Sequence, residues 1–71
     1  MNIYVKLLNE GTEVYRSVPA VEISTNTFKI GGYEMYNRED EEWEFPPGSI
    51  VRVQEKNSGN NNILIAVEVL T

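Results

Sequence analysis

Cysteine and histidine are both absent from this chain of 71 residues. Without cysteine there is no disulfide, no thiolate nucleophile and no zinc ribbon. Without histidine the chain lacks the usual general base and the commonest metal ligand. These absences exclude most catalytic mechanisms, so we expect a protein that is not an enzyme and uses no cofactor. A small domain without disulfides also suits a reducing compartment, which favours a cytoplasmic location.

Long apolar runs are missing as well. No run approaches the roughly 18 residues that span a bilayer, and the N-terminal residues Met1–Lys6 lack the basic start and cleavage site of a signal peptide. We therefore expect a soluble protein without membrane contact. Its length predicts a single domain over residues 1–71, close to the size of about 70–80 residues at which one core becomes self-sufficient.

Negative charge is present and is concentrated in one place. The chain has eleven acids and six bases, a formal charge of −5. Only one base, Arg38, accompanies six of the acids between Glu34 and Phe45, while five acids and five bases balance over the rest of the chain. These six acids are Glu34, Glu39, Asp40, Glu41, Glu42 and Glu44. The charge of this segment repels nucleic acid and attracts a basic partner by long-range steering.

Alternation of apolar residues with a period of two dominates the sequence outside that segment. It predicts strands over 2–8, 27–30, 50–56 and 62–70, with a hairpin loop over 57–61. A second extended segment runs from Glu13 to Ile23; Pro19 interrupts its ladder, so this segment should be an edge strand or a bent pair of strands. Val14, Arg16 and Val18 share one face of the second strand. In the last strand, Ile63, Ile65, Val67 and Val69 are predicted to share one face and Leu64, Ala66 and Leu70 the other. A strand that is apolar on both faces belongs inside a sheet or in a closed barrel.

Strands of this number and spacing, without a convincing helix, predict an all-β domain. In 71 residues the expected architecture is a small five- to six-stranded, partly open barrel, because a flat sheet of this size would expose two edges and one face.

The segment from Glu42 to Val53 resembles small SH3-like barrels, in which a Pro-Gly turn begins a strand and a tight hairpin follows. Within it, the run from Pro47 to Val53 is similar to the strand entry of translation-associated SH3-like modules. The layout also resembles small uncharacterised bacterial proteins that have Arg-Ser-Val-x-Ala and acidic-Trp-x-Phe-x-Pro-Gly stretches. The resemblance implies an SH3-like fold. The rival fold is an oligonucleotide-binding barrel, which would require residues 33–44 to form a helix.

We call residues 33–45 the acidic segment, and it is the candidate interaction surface. An SH3-like groove lined by Tyr and Trp and rimmed by acids would bind a basic or Pro-rich peptide. In size and acidity the chain is also similar to inhibitor or immunity proteins, in which charge speeds the capture of a basic target. The candidate partner-binding residues are Tyr33, Tyr36, Glu39, Asp40, Glu41, Glu42, Trp43 and Glu44. In the alternative interpretation Trp43 and Phe45 close the core and the acids form a solvated loop.

Other functions find weaker support in the sequence. The acidic segment lacks the alternate oxygen spacing and the glycine of a calcium loop, so we expect no metal. Paired carboxylates for glycosidic chemistry would need a sugar-sized cleft, which this domain can scarcely provide.

An RNA- or ribosome-associated barrel would use Arg52, Lys56 and Lys29, but three bases supply little affinity for phosphates. An edge strand over Thr12–Val18 would instead form a homodimer by pairing with its copy.

Overall fold

The structure is a computed structural model that describes the backbone of residues 1–71 and every side chain except that of Ser58. Its six strands are β1 (Asn2–Leu8), β2 (Val14–Ser24), β3 (Thr27–Ile30), β4 (Glu42–Trp43), β5 (Ile50–Ser58) and β6 (Asn61–Val69). Over the described residues the chain contains no helix, and therefore no helix long and apolar enough to cross a membrane.

Five of the strands close into a barrel in the order β1-β2-β3-β5-β6. Each consecutive pair is antiparallel. Because five strands that alternate in direction bring the first and last into the same direction, β1 and β6 meet in parallel, through the pair Tyr4↔Ile65. The short β4 extends the sheet beside the end of β1. The prediction of a small all-β barrel with five to six strands is confirmed, and the barrel is closed rather than partly open.

Strand β2 changes its partner at Pro19. Its first half pairs with β1, up to Asn2↔Pro19, and its second half pairs with β3 from Ala20↔Ile30 onwards. At the change, the N–H of Ala20 donates to the Met1 carbonyl at 2.7 Å, and the Pro19 carbonyl accepts the N–H of Gly31 at 2.9 Å. The ladder with β1 ends at Pro19, as predicted, but the strand itself is continuous, because the residue without an N–H lies where β2 changes its partner.

The core lies inside the barrel and forms one cluster of buried apolar side chains. Alternate residues of β1 point inward as the sequence pattern predicts. The buried residues are Ile3, Val5, Leu7, Val18, Ala20, Phe28, Ile30, Trp43, Phe45, Val51, Val53 and Ala66. Trp43 and Phe28 are the largest of the almost fully buried side chains. All of these buried residues are apolar, and the described part of the chain buries no charged or polar side chain.

The hairpin of β5 and β6 differs from the prediction in two ways. Ser58 pairs with Asn61, so the turn contains only Gly59 and Asn60 and is shorter than the predicted loop over 57–61. Further along, the register moves from Arg52↔Glu68 to Val53↔Ala66, which leaves Val67 as the extra residue of a β-bulge. A bulge reverses the alternation of side chains.

The predicted shared face of Ile63, Ile65, Val67 and Val69 is therefore wrong at its end. Val69 pairs with the buried Val51, whereas Ile65 pairs with the exposed Gln54 on the outside of the barrel.

Candidate functional site

The acidic segment is folded into two consecutive tight turns. Gly32 has a φ of 88°, which turns the chain away from β3. The N–H groups of Met35 and Tyr36 both donate to the Gly32 carbonyl at 3.0 Å. The second turn repeats this arrangement around Asn37, whose carbonyl accepts the N–H groups of Asp40 and Glu41 at 3.0 Å. The Asn37 side chain also accepts the N–H of Glu39 at 2.9 Å, as asparagine commonly does in turns.

Trp43 points into the barrel, although the sequence left both a core and an interface role open. Its side chain is only 2% exposed, and it stacks at a tilt of 57° on Tyr36, with 4.8 Å between the ring centroids. The short strand β4 places it there, through the pairs Leu7↔Trp43 and Leu8↔Glu42. The indole ring therefore belongs to the core, although Trp43 is also among the residues at the base of a groove lined by Tyr36, Arg38 and Glu44.

The Glu41 carboxylate is held by two other side chains of the protein. The Arg16 guanidinium forms a two-pronged ion pair with this carboxylate: Nη2 donates to Oε2 at 2.9 Å and Nε contacts Oε1. The indole Nε1 of Trp43 donates to Oε1 at 2.9 Å. The hydrogen bonds from Arg16 lower the pKa of Glu41 most, and the hydrogen bond from Trp43 lowers it further. Burial acts in the opposite direction, but the pKa remains below its ordinary value. This carboxylate remains ionised and anchors the acidic segment.

Arg16 was not predicted as a site residue, although the sequence carries a signal for it. It occupies the face of β2 that also carries Val14 and Val18, and it lies opposite the buried Val5. A charged residue on an otherwise apolar strand face needs a partner at the rim of the core. Here the partner is Glu41, 25 residues along the chain.

The remaining predicted residues divide between partly buried and exposed positions. Tyr36 is half-buried against the core. Glu42 is half-buried: it accepts a bond of 3.2 Å from the Asn9 side chain and lies 3.8 Å from Arg38. Tyr33 is 69% exposed and Glu39, Asp40 and Glu44 are exposed too.

Four further exposed side chains of the segment were not predicted as partner-binding residues. They are Glu34, Met35, Asn37 and Arg38. The surface that a partner can reach thus consists of four carboxylates, the Arg38 guanidinium, the Asn37 amide, one phenol ring and one thioether. Glu41 and Trp43 hold the backbone beneath this surface in place.

A groove separates this surface from β2. Its volume is about 270 Å³, and it is lined by Arg16, Met35, Asn37, Asp40 and Glu41. Among the described residues, no three carboxylates converge closely enough to hold a metal ion.

The basic residues of the alternative RNA-binding interpretation are not gathered at one place. Arg52 is paired with Glu68 at 3.0 Å. Lys29 lies opposite Ile50, and Lys56 is six residues further along β5, a distance of roughly 20 Å in an extended strand.

In comparisons with known proteins, the chain matches no family model, no curated protein and no solved structure. We therefore infer a function from the barrel and its acidic segment alone.

Proposed function

We propose that this protein is a non-catalytic binding module that captures a basic protein surface or segment through the exposed part of the acidic segment. The proposal rests on a difference among the acids of this segment: one is paired within the protein, and four are exposed and unpaired in the part of the chain that the structure describes. Glu41 anchors the segment from inside, whereas Glu34, Glu39, Asp40 and Glu44 are exposed and take part in no ion pair among the described residues. These carboxylates are available to a partner.

Preorganisation supports this function. The two tight turns hold the backbone of the segment, so little conformational entropy is lost when a partner binds. Tyr33 and Met35 add exposed apolar surface beside the charges, and aromatic residues are enriched among the residues that dominate binding energy. Charge attracts the partner over a distance, and these two side chains contribute contact area.

We also propose that the barrel is SH3-like, with the turn before β5 starting at Pro46, where the N–H of Ser49 donates to the Pro46 carbonyl at 3.1 Å. A groove for Pro-rich peptides is lined by exposed aromatic rings. Because Trp43 is buried, we favour a basic partner over a Pro-rich one. A small acidic inhibitor or immunity-type protein of the cytoplasm fits this description, since charge accelerates capture of a basic target.

The test compares two variants of equal net charge. In the first, Glu34, Glu39 and Glu44 become Gln and Asp40 becomes Asn. In the control, four exposed acids elsewhere (Glu10, Glu13, Glu22 and Glu55) become Gln. Each set of four changes moves the formal charge from −5 to −1.

Each variant and the native protein are immobilised as bait for a nuclease-treated lysate of the source organism. We expect the native and control baits to capture the same basic protein and the first variant to lose it. With that protein purified, we expect association with the first variant to be roughly tenfold slower than with the control at low salt, and the difference to shrink at high salt. If the control loses binding to the same extent, bulk charge acts rather than this surface, and the proposal is wrong. Capture of RNA from an untreated lysate would favour the RNA-associated alternative.

A further inference from the structure

The first half of β2 has an open edge. Strand β3 pairs with β2 only from Ala20 onwards, and the chain leaves that side of the sheet at Gly32. Before Pro19, no strand of the described chain pairs with the side of β2 that faces away from β1.

The backbone groups on this edge follow from the two bonds at the change of partner. The Ala20 N–H points towards β1 and the Pro19 carbonyl points away from it. Because successive residues of a strand direct their N–H and C=O groups to opposite sides, Tyr15 and Ser17 direct theirs away from β1. Both residues are exposed. They present two donors and two acceptors in the spacing that an added strand requires.

The acidic surface lies beside this edge. Arg16, between Tyr15 and Ser17, lines the groove of about 270 Å³ whose other wall includes Met35 and Asp40. Every second side chain of a strand added at the edge would point to the same side of the sheet as Arg16, towards this groove. The exposed carboxylate of Asp40, which lines this groove, would then face those side chains.

We propose that the partner binds as an extended segment that adds a strand to β2 at Tyr15 and Ser17, with lysine or arginine at alternate positions facing the acidic segment. This inference rests on the proposed function, since it specifies the form in which the basic partner is recognised. Backbone pairing supplies sequence-independent affinity, and the alternate basic side chains supply specificity.

A second copy of this chain is a poorer occupant of the same edge. Pairing β2 with its two-fold copy would bring two acidic segments together, each carrying the whole net charge of its chain. Like charges brought together across an interface oppose association. A basic segment of a partner would instead neutralise the negative charge of the acidic segment.

The probe is a blocked synthetic heptapeptide that alternates lysine and threonine, with lysine at both ends. Two analogues carry N-methyl groups, one on the lysine amides and one on the threonine amides. In a strand these two sets of amides point to opposite sides, so only one set faces β2. We expect one analogue to bind at least tenfold more weakly than the parent at low salt, and the other to bind like the parent. In the protein, binding should slow hydrogen exchange of the Tyr15 and Ser17 amides.

A protein variant provides an independent measurement. Ser17→Pro removes an edge donor, and Ser17→Ala retains it. We expect the first to bind the peptide at least tenfold more weakly and the second to bind normally, with circular dichroism reporting whether each is folded. If Ser17→Pro does not fold, the two peptide analogues and the exchange measurement still decide the outcome.

Three results would overturn the inference, and each has a different meaning. If the parent peptide binds and is weakened by neutralising Glu39 and Asp40, but both analogues bind equally and the Tyr15 and Ser17 amides stay unprotected, the proposed function stands and strand addition is wrong. If sedimentation shows a dimer of the protein alone, with these amides protected as concentration rises, a second copy occupies the edge. If the peptide does not bind at low salt while a basic protein is still captured through the acidic surface, that partner is recognised by a folded surface rather than by a strand.

Discussion

The Glu41 carboxylate accepts the indole N–H of Trp43 at 2.9 Å, although only one residue separates the two in the chain. The same carboxylate binds Arg16 on the other side of the groove. One acid of the acidic segment thus connects the segment to the core aromatic ring and to β2. The Glu41 carboxylate is therefore already paired within the protein. In this it differs from the exposed acids that we assign to partner binding.

The first prediction concerns the pH dependence that Glu41 confers. Its pKa lies below the ordinary value of 4.5, because the Arg16 guanidinium, and next the Trp43 indole, donate to the carboxylate. A lowered pKa in the folded state stabilises the protein fully above that ordinary value, and this stabilisation is lost as the pH falls through the folded pKa. Glu41→Gln should therefore reduce the free energy of unfolding by about 1 kcal/mol at neutral pH and flatten its decline below about pH 4.5.

Urea unfolding over a pH series measures this effect. Glu39→Gln is the matched control, because that neighbouring acid is exposed and makes no ion pair within the described residues. Its curve should follow the native one. If the Glu41→Gln curve remains parallel to the native curve in acid, the ion pair does not influence folding.

The two arginine–glutamate pairs should differ in their contribution to stability. Arg16 meets Glu41, whose side chain is 17% exposed, whereas Arg52 meets Glu68, whose side chain is 56% exposed. Removing Arg16 leaves a partly buried carboxylate without its main donor, so Arg16→Ala should cost about 1–2 kcal/mol. Arg52→Ala should cost less than about 1 kcal/mol, as exposed pairs do. Thermal unfolding of the two variants compares them, and equal losses would contradict this account.

Substitutions at Trp43 and Tyr33 should have different effects, the first on the stability of the fold and the second on partner binding. Replacing the buried Trp43 with Ala should cost about 3–5 kcal/mol in the free energy of unfolding. Tyr33→Ala should change that free energy by less than about 0.5 kcal/mol, because its ring is mostly exposed. Circular dichroism during urea unfolding measures both variants. If Tyr33→Ala leaves affinity for the captured partner unchanged, Tyr33 does not belong to the interface.

Two glycines offer a test of how tightly the acidic segment is packed. Gly32 and Gly11 both have a positive φ, of 88° and 79°, so alanine is strained at either position. A Cβ at Gly32 would also lie 3.2 Å from Cη2 of the buried Trp43, whereas a Cβ at Gly11 would meet nothing within 4 Å. Gly11→Ala should cost about 1–2 kcal/mol. Gly32→Ala should cost at least about 1 kcal/mol more, and thermal unfolding measures the difference.

The strands were predictable because alternation is a local property. Strand β1 occurs at Asn2–Leu8 and β3 at Thr27–Ile30, as the pattern predicts. The pattern did not predict that β2 changes its partner at Pro19 or that β6 has a bulge at Val67. A partner change and a bulge depend on neighbouring strands, and neither leaves a mark in the alternation of the strand itself.

The candidate site was predictable in its location but not in the roles of its residues. Counting charges placed the net charge between Glu34 and Phe45. It did not distinguish Glu41, which is bound to Arg16 and Trp43, from the exposed Asp40. That distinction depends on Arg16, which lies 25 residues away in the chain.

The sequence by itself determined an all-β barrel with its charge in one segment, since composition and periodicity are readable from residues close together in the chain. Only the tertiary structure decided that Trp43 lies in the core, that Glu41 serves as an anchor and that β2 keeps an open edge at Tyr15 and Ser17. Each of these depends on where the closing barrel brings distant strands and turns together, and where it leaves a strand without a neighbour.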